Sequence, residues 1–443
     1  MNLENKNIAI IGAVRSGIGA AKLAVRVGAV PFVSDFSSSD KLKDNLKILD
    51  ELSIEYETGG HSERVLDCDL IVTSPGVPSD SEILEKAAEK NIKVVSELEF
   101  ASWFCKGKII AITGTNGKTT TTKLAEHVLK IAGLKAYSAG NIGYAFSEIA
   151  QDIKENEYVV LEVSSFQLDF IDKFKPMISV ILNITPDHLD RYENKIQQYI
   201  ESKLRIYENQ TGEDFLIING ADNYLKENVK NYKSNKITFS LNDEGTDAHI
   251  KGNSFIYGKE DVTGIDALNI KGEHNQLNAL SVIAIAKIIG INNAKIKEAF
   301  QTFQAVEHRL EFVREFNGIK YYNDSKATNV DSVWYALRSF TEPLILILGG
   351  KDKGNDYNQI KSLVKEKVKL IYAIGSSSQK VYEFFKETVS VKIKEKLEEC
   401  VASSTEDAEK GDVVLLSPAC ASFDMFDSYE HRGKVFKEAV LKL

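Results

Sequence analysis

The run Ala111-Ile112-Thr113-Gly114-Thr115-Asn116-Gly117-Lys118-Thr119-Thr120 constrains this chain more than any other stretch. A Lys-interrupted apolar strand over 107–112 enters a glycine-broken loop. Lys-Thr-Thr then opens a helix that continues through Leu124, Val128 and Leu129. Strand, loop and helix in this order make a cradle for polyphosphate at a sheet edge. Backbone N–H groups face anionic oxygens, Lys118 adds a point charge, and Thr119 offers a hydroxyl to Mg²⁺. The common form of the loop has a glycine about five residues before the Gly-Lys pair. Here that place is Ile112, and Gly114 and Gly117 make a tighter loop. The plain alternative is a chance Gly-Lys-Thr at a helix start, which the ordered flanks disfavour.

A chain of 443 residues is too long for one core, so about two to four domains are expected. Hydrophobic content of 43% and charged content of 27% describe an ordinary globular composition. A net charge of −9 argues against nucleic acid or an anionic membrane as the main partner. It leaves room for anionic small molecules in local basic clefts. Cys68, Cys105, Cys400 and Cys420 are scattered without a Cys-x-x-Cys pair, which fits a reducing cytosol and gives no zinc pattern. No run reaches about 18 apolar residues, so no membrane span is expected. The first residues turn directly into a strand without a signal-type segment, and the expected location is cytoplasmic.

Strand–glycine–helix beginnings recur along the chain. Ile8-Ala9-Ile10-Ile11-Gly12 leads through Arg15-Ser16-Gly17 into a helix with Ala20, Leu23, Ala24 and Val27, and a second strand ends at Asp35. This resembles the dinucleotide fingerprint, except that Val14 stands where the second glycine would let a pyrophosphate approach. The unit therefore reads as a nucleotide-type domain whose ligand sits differently, or as scaffold. Strand Leu70-Ile71-Val72 runs into Thr73-Ser74-Pro75-Gly76-Val77-Pro78, a tight turn at a strand end that is either structural or a ligand loop. Further strands at 158–161 and 178–182 alternate with helical stretches in the central part. Beyond Val306, strands at 344–348, 370–374 and 413–416 form another open sheet, with Gly349-Gly350-Lys351-Asp352-Lys353 at a strand end. The fold class expected is α/β, with mostly parallel sheets covered by helices.

Polar residues collect at the ends of these strands. Glu162 follows Val159-Val160-Leu161 and directly precedes Val163-Ser164-Ser165. A carboxylate there is costly unless it is paired or binds metal, and a Mg²⁺ role is preferred over plain hydrogen bonding. Asp187 and His188 end another strand, where a satisfied structural histidine is the alternative. Asn141, between Gly140 and Gly143, suits close ligand approach or a simple turn. Lys203 falls on the helical stripe of Ile196, Tyr199, Ile200, Ile206 and Tyr207. Either it snorkels to solvent, or it is buried and its ammonium form disfavoured. A neutral amine can take up CO₂ as a carbamate, which would turn a cation into a Mg²⁺ ligand. The cluster Asn323 to Asn329, the run Ser417 to Ser422 and Lys353 place cations and hydroxyls at further strand ends, a rim suited to a carboxylate substrate.

Taken in order, these motifs resemble those of the Mur ligases of bacterial peptidoglycan synthesis, from Ile10-Ile11-Gly12 to His431-Arg432-Gly433. Thr113 to Thr120, Glu162 to Leu168 and Asp187 to Arg191 look like family-wide motifs. Lys203 to Tyr207, Asn323 to Asn329 and Leu416 to Ser422 look like the branch that adds D-glutamate. The missing loop glycine then reads as a shortened form.

The resemblance implies a Rossmann-like UDP-sugar domain over 1–97, an ATPase domain over 98–304 and a Rossmann-like amino-acid domain over 305–443. It implies ATP and Mg²⁺ at two sites, a monomer, and UDP-N-acetylmuramoyl-L-alanine and D-glutamate as substrates. Gly114, Thr115, Asn116, Gly117, Lys118, Thr119 and Thr120 would hold phosphates. Asn275 and Asn278 would face adenine, and Arg309 and Asp324 phosphate and ribose. Thr119, Glu162, His188 and carbamylated Lys203 would hold the metals. Arg15, Ser16, Asp35, Ser74, Gly76, Asn141 and His188 would line the UDP-substrate site. Lys118, His188, Lys203 and Lys326 would be catalytic, Lys326, Thr328, Lys353 and Ser422 would serve the acyl-phosphate and D-glutamate end, and Tyr429 would face D-glutamate. Phe36 and Ser37 depart from a hydroxyl followed by a basic residue, so Arg15 is expected to serve the diphosphate. Tyr429 replaces a usual phenylalanine.

The reaction implied is ATP-dependent amide formation through an acyl phosphate. Rival readings are another Mur ligase or a folylpolyglutamate synthase-like ligase, an NAD-dependent oxidoreductase built on the first unit, and a nucleotide-dependent switch. The broken first fingerprint disfavours the oxidoreductase.

Overall fold

The structure, a computed structural model, describes residues 2–304 and 306–443. Ala305, where the sequence reading begins its third segment, lies outside the described residues. Strands gather into separate α/β sheets, each an apolar layer flanked by helices.

The first sheet contains β1 (Asn7–Ile11), β2 (Val30–Asp35), β3 (Glu55–Thr58), β4 (Leu70–Thr73) and β5 (Val94–Ser96). Its order is β3-β2-β1-β4-β5, parallel throughout. β1 and β4 are buried on both faces, which is why they read as unbroken apolar runs. Strand order reverses between β1 and β4, so the crevice beyond their C-terminal ends is the natural ligand position. Helix Arg15–Arg26 buries Ile18, Ala20, Ala21, Leu23 and Ala24. Gly17 permits its close seat, because a Cβ there would lie 1.7 Å from the Gly12 carbonyl oxygen.

The central sheet contains β6 (Lys108–Thr113), β7 (Ala136–Gly140), β8 (Tyr158–Glu162), β9 (Ile178–Ile181), β10 (Phe215–Asn219), β11 (Asn235–Phe239), β12 (Ala248–Lys251), β13 (Ser254–Tyr257) and β14 (Glu260–Gly264). The order is β14-β13-β12-β11-β10-β9-β6-β8-β7. Strands β6 to β11 are parallel, and β12 to β14 close one edge as an antiparallel meander that the sequence reading passed over. In the parallel register Ile112 lies beside Glu162, and Thr113 beside Ile181. The phosphate-type loop, Glu162 and the segment after β9 therefore leave the sheet at one edge. A single apolar cluster joins Ile10, Leu23, Leu98, Phe100, Phe146, Val159 and Leu168, so the first and central sheets share a core.

The third sheet contains β15 (Glu311–Phe316), β16 (Ile319–Asn323), β17 (Leu344–Gly349), β18 (Val368–Ile374), β19 (Ser390–Ile393) and β20 (Val413–Leu416). The order is β15-β16-β20-β17-β18-β19, with only the β15–β16 pair antiparallel. The register sets Asn323 and Ile347 on either side of Leu416, which brings Asp324, Leu348 and Ser417 out together. Residues 1–267 with 277–301 form one compact unit, and 268–276 with 302–443 another. Among the described residues, no helix is long and apolar enough to cross a membrane.

Candidate active site

The loop after β6 is braced from the loop after β9. Asn183 accepts the Thr115 N–H through its carbonyl at 3.0 Å and the Asn116 N–H through its Oδ1 at 2.8 Å. Its Nδ2 donates back to the Asn116 carbonyl at 3.1 Å. The Thr115 hydroxyl donates to the Thr185 carbonyl at 3.0 Å and lies 3.2 Å from the Tyr199 hydroxyl. Gly117 sits before the helix Lys118–Ile131 with φ of 85°, and a Cβ there would lie 2.4 Å from Asn278 Oδ1. Its left-handed conformation favours glycine there, and a Cβ would also crowd the Asn278 side chain. Asn275, nearly one turn earlier on the helix of Asn278, donates its amide to the Lys271 carbonyl at 2.7 Å.

Lys118 Nζ donates to the Gly114 and Thr115 carbonyls, both at 2.8 Å, and Lys203 Nζ donates to the same Gly114 carbonyl at 3.1 Å. Lys203 is 1% exposed and faces the Tyr199 ring at 4.5 Å. The buried alternative thus holds over snorkelling. Burial first, and Lys118 second, hold its amine well below the usual lysine range, against the opposing pull of Asp187 and Asp169.

Glu162 ends β8 at 2% exposure. Its Oε2 accepts the Thr119 hydroxyl at 2.6 Å, and its Oε1 accepts Asn141 Nδ2 at 3.0 Å. Thr119 and Asn141 therefore meet on one carboxylate. The Thr120 hydroxyl is buried without a hydrogen-bond partner among the described residues. Carboxylate, hydroxyls, loop and lysines together fit a magnesium–nucleotide. His188 adopts a left-handed backbone (φ 53°), its imidazole edge-on to Phe166 at 5.4 Å and 3.6 Å from Asp187 Oδ2.

At the first sheet's edge, Asp35 is 7% exposed, and its oxygens accept the Ala13 N–H at 2.6 Å and the Ser37 N–H at 2.7 Å. It shapes the wall of the crevice with an anion. The Ser74 hydroxyl is buried without a partner among the described residues and lies against Gly12 and Gly17. Ser16 is half-buried in the first turn of its helix, and a Cβ on Gly76 would meet open space. Arg15 is exposed and donates to the Gly143 carbonyl at 3.1 Å, in the loop that carries Asn141.

In the third sheet's unit, Asp324 is 3% exposed, accepts the Ser417 hydroxyl at 2.8 Å and the Leu310 N–H at 3.2 Å, and burial pushes its carboxyl up to about 7. The Arg309 Nε is buried without a partner among the described residues. Lys326 Nζ lies 5.0 Å from the centre of the Tyr429 ring. The Lys351 N–H donates to the Ala421 carbonyl at 2.9 Å, which fastens the loop of exposed Lys353 beside buried Ser422. Thr328 is half-buried just before the helix Val330–Arg338. Glu307, His308 and Glu311 converge, but Lys437 already bonds Glu307 at 2.8 Å and Glu311 at 2.6 Å. An ammonium, the ordinary partner of two carboxylates, accounts for that cluster.

Sequence reasoning assigned no role to Asn183 or Arg432. Asn183 carried one signal, a polar residue just past an apolar strand. Arg432 is 1% exposed and donates to the Ser325 hydroxyl at 2.9 Å, the Ser325 carbonyl at 2.7 Å and the Cys420 carbonyl at 3.0 Å. It fixes the Lys326 and Ser422 loops to one helix, and burial lowers it to about 10. Only the long-range packing of that helix reveals this.

The chain matches family models at three places: a MurD N-terminal domain over 25–83, a Mur ligase middle domain over 112–286 and a Mur ligase glutamate ligase domain over 308–420. It is 44% identical to a UDP-N-acetylmuramoylalanine–D-glutamate ligase of Chloroherpeton thalassium, across 100% of this chain and 99% of that one. A protein of the same name from Salinibacter ruber is 42% identical across 97% and 96%. Among solved structures, a UDP-N-acetylmuramate–alanine ligase of Thermotoga maritima shares the fold with a TM-score of 0.66 at 20% identity, covering 99% of this chain and 100% of that one. A MurF ligase of the same organism, solved with ADP, gives a TM-score of 0.61 at 16% identity, covering 99% and 96%. The ordered site residues and these full-length relatives lead to one conclusion: the chain belongs to the Mur ligase family.

Proposed function

We propose that this protein is an ATP-dependent ligase that joins D-glutamate to UDP-N-acetylmuramoyl-L-alanine through an acyl phosphate. The observation that carries this reading is the convergence of Lys118 and Lys203 on the Gly114 carbonyl, at the sheet edge where Glu162 gathers Thr119 and Asn141. Relatives of 42–44% identity bear the matching name. The segments 1–97, 98–304 and 305–443 would hold the UDP-sugar, ATP and the amino acid.

Loop residues 114–120, with Lys118 foremost, would hold the phosphates, Asn275 and Asn278 the adenine, and Arg309 and Asp324 the phosphate and ribose. Glu162, Thr119, His188 and carbamylated Lys203 would hold Mg²⁺, which neutralises charge on the phosphoryl group when bound. Carbamylation joins the neutral Lys203 amine to CO₂ by a new N–C bond and releases one proton to solvent. Arg15, Ser16, Asp35, Ser74 and Gly76 would line the UDP site, and Asn141 and His188 would present the alanyl carboxylate. That carboxylate attacks the γ-phosphorus, the bond to ADP breaks, and an acyl phosphate forms. Thr328, Lys353, Ser422 and Tyr429 would orient D-glutamate, with Lys326 at the acyl phosphate. The amine attacks the carbonyl carbon to give a tetrahedral oxyanion, the C–O bond to phosphate breaks, and the amine's proton leaves with the phosphate or to solvent.

Hydroxylamine supplied in place of D-glutamate tests the intermediate. An ADP-coupled hydroxamate of the UDP-substrate is expected. ATP turnover with D-glutamate but no hydroxamate would count against the acyl phosphate.

A further inference from the structure

The segment between β9 and helix Ile196–Leu204 carries His188 on a backbone that is left-handed at His188, Glu193 and Asn194 (φ 53°, 51° and 57°). None of these is glycine, so the path must be held by its surroundings. Arg191 supplies a specific hold. Its guanidinium carbon lies 4.5 Å from the centre of the Phe166 ring. The same ring meets the His188 imidazole edge-on at 5.4 Å and stacks on Tyr192 at 5.9 Å. The Arg191 N–H donates to the His188 carbonyl at 3.0 Å. The far end of the side chain leaves the central sheet altogether. Nη2 donates to the Val77 carbonyl at 2.8 Å, with Nη1 3.5 Å from the Gly76 carbonyl. Those carbonyls belong to the turn after β4, whose Ser74 hydroxyl is buried without a partner among the described residues.

We infer that Arg191 is a positioning residue that couples the UDP-substrate crevice to the His188 segment. The inference rests on the proposed substrate assignment of the Ser74–Gly76 turn. A substrate seated against that turn fixes the Gly76 and Val77 carbonyls. The planar guanidinium passes that register through Phe166 to the imidazole. Arginine suits the task, because one rigid fork can reach carbonyls while its face packs on an aromatic ring. A lysine could keep the charge and one bond but not the stack-and-fork geometry.

Hydrogen exchange on the full chain, with UDP-N-acetylmuramoyl-L-alanine and no ATP, gives a readout independent of turnover. In the natural protein the ligand is expected to slow exchange in both 74–78 and 186–195. In Arg191→Ala, 74–78 should still be protected while protection of 186–195 falls about tenfold, an ordinary size for coupling between sites. Arg191→Lys should restore part of it. Steady-state assays should show a matching rise in the Mg²⁺ needed for half-maximal rate, with the KM for D-glutamate unmoved. Equal protection of 186–195 in the natural protein and Arg191→Ala overturns the coupling, as does protection confined to 74–78 in the natural protein. No protection of 74–78 in any variant overturns the substrate assignment itself. A drop in Tm with unchanged protection marks Arg191 as merely structural and also overturns the proposal.

Discussion

The glycine loops after β1 and β6 follow the same plan, strand to glycine turn to helix, and are braced by groups of different charge. In the first, the protein's own anion is already in place: Asp35 binds the Ala13 N–H at 2.6 Å. In the second, the Thr115 and Asn116 N–H groups are held by uncharged oxygens of Asn183, and the amines of Lys118 and buried Lys203 converge on one carbonyl. A fixed carboxylate takes up a loop N–H with a charged acceptor, whereas the amide of Asn183 braces its loop without adding charge beside Lys118. Glycine spacing is therefore a statement about space, and the residue that reaches the loop from the neighbouring strand decides how its N–H groups are held.

Substitutions can break this contrast. The largest effect is expected from Lys118→Ala, a loss of about 10²- to 10³-fold in kcat, the scale of one group removed from developing charge. A loss confined to KM for ATP would move Lys118 from transition-state to ground-state binding. Lys203→Gln should cost about 10- to 100-fold, with a raised Mg²⁺ requirement. In the natural protein, CO₂-free buffer should lower the rate and bicarbonate restore it. The sign follows from burial, which disfavours the ammonium form and so favours the neutral amine that reacts with CO₂. A rate indifferent to bicarbonate would remove the carbamate from the account.

Asp35→Ala and Asn183→Ala compare the braces themselves. Asp35→Ala should destabilise the protein by about 1–3 kcal/mol, since it leaves the buried Ala13 N–H without its acceptor. It should also raise the KM for the UDP-substrate and spare that for ATP. Asn183→Ala should do the reverse, raising the KM for ATP with a smaller shift in thermal stability. Interchanged effects would contradict the contrast. Arg15→Ala should have the smallest effect. Its exposed bond to the Gly143 carbonyl predicts a rise of about 2- to 5-fold in KM for the UDP-substrate. An unchanged KM would refute the diphosphate role.

Much of this was legible before folding. The phosphate-type loop, Glu162 at a strand end and Lys203 on an apolar stripe follow from local periodicity and from the cost of burying charge. What was not legible comes from elements far apart in sequence. Asn183 matters because β9 lies beside β6, and Arg191 because its segment meets the turn after β4. Arg432 matters because its helix returns to Ser325 and Cys420. The β12–β14 meander was legible in part: Gly252-Asn253 and Gly258-Lys259 each span the two residues between paired strands.

Phosphate release from ATP and UDP-N-acetylmuramoyl-L-alanine, with D-glutamate and L-glutamate compared side by side, tests the central claim most directly. The account predicts release that depends on D-glutamate and stays near background with L-glutamate. Release that ignores D-glutamate, or that another amino acid supports better, would contradict it.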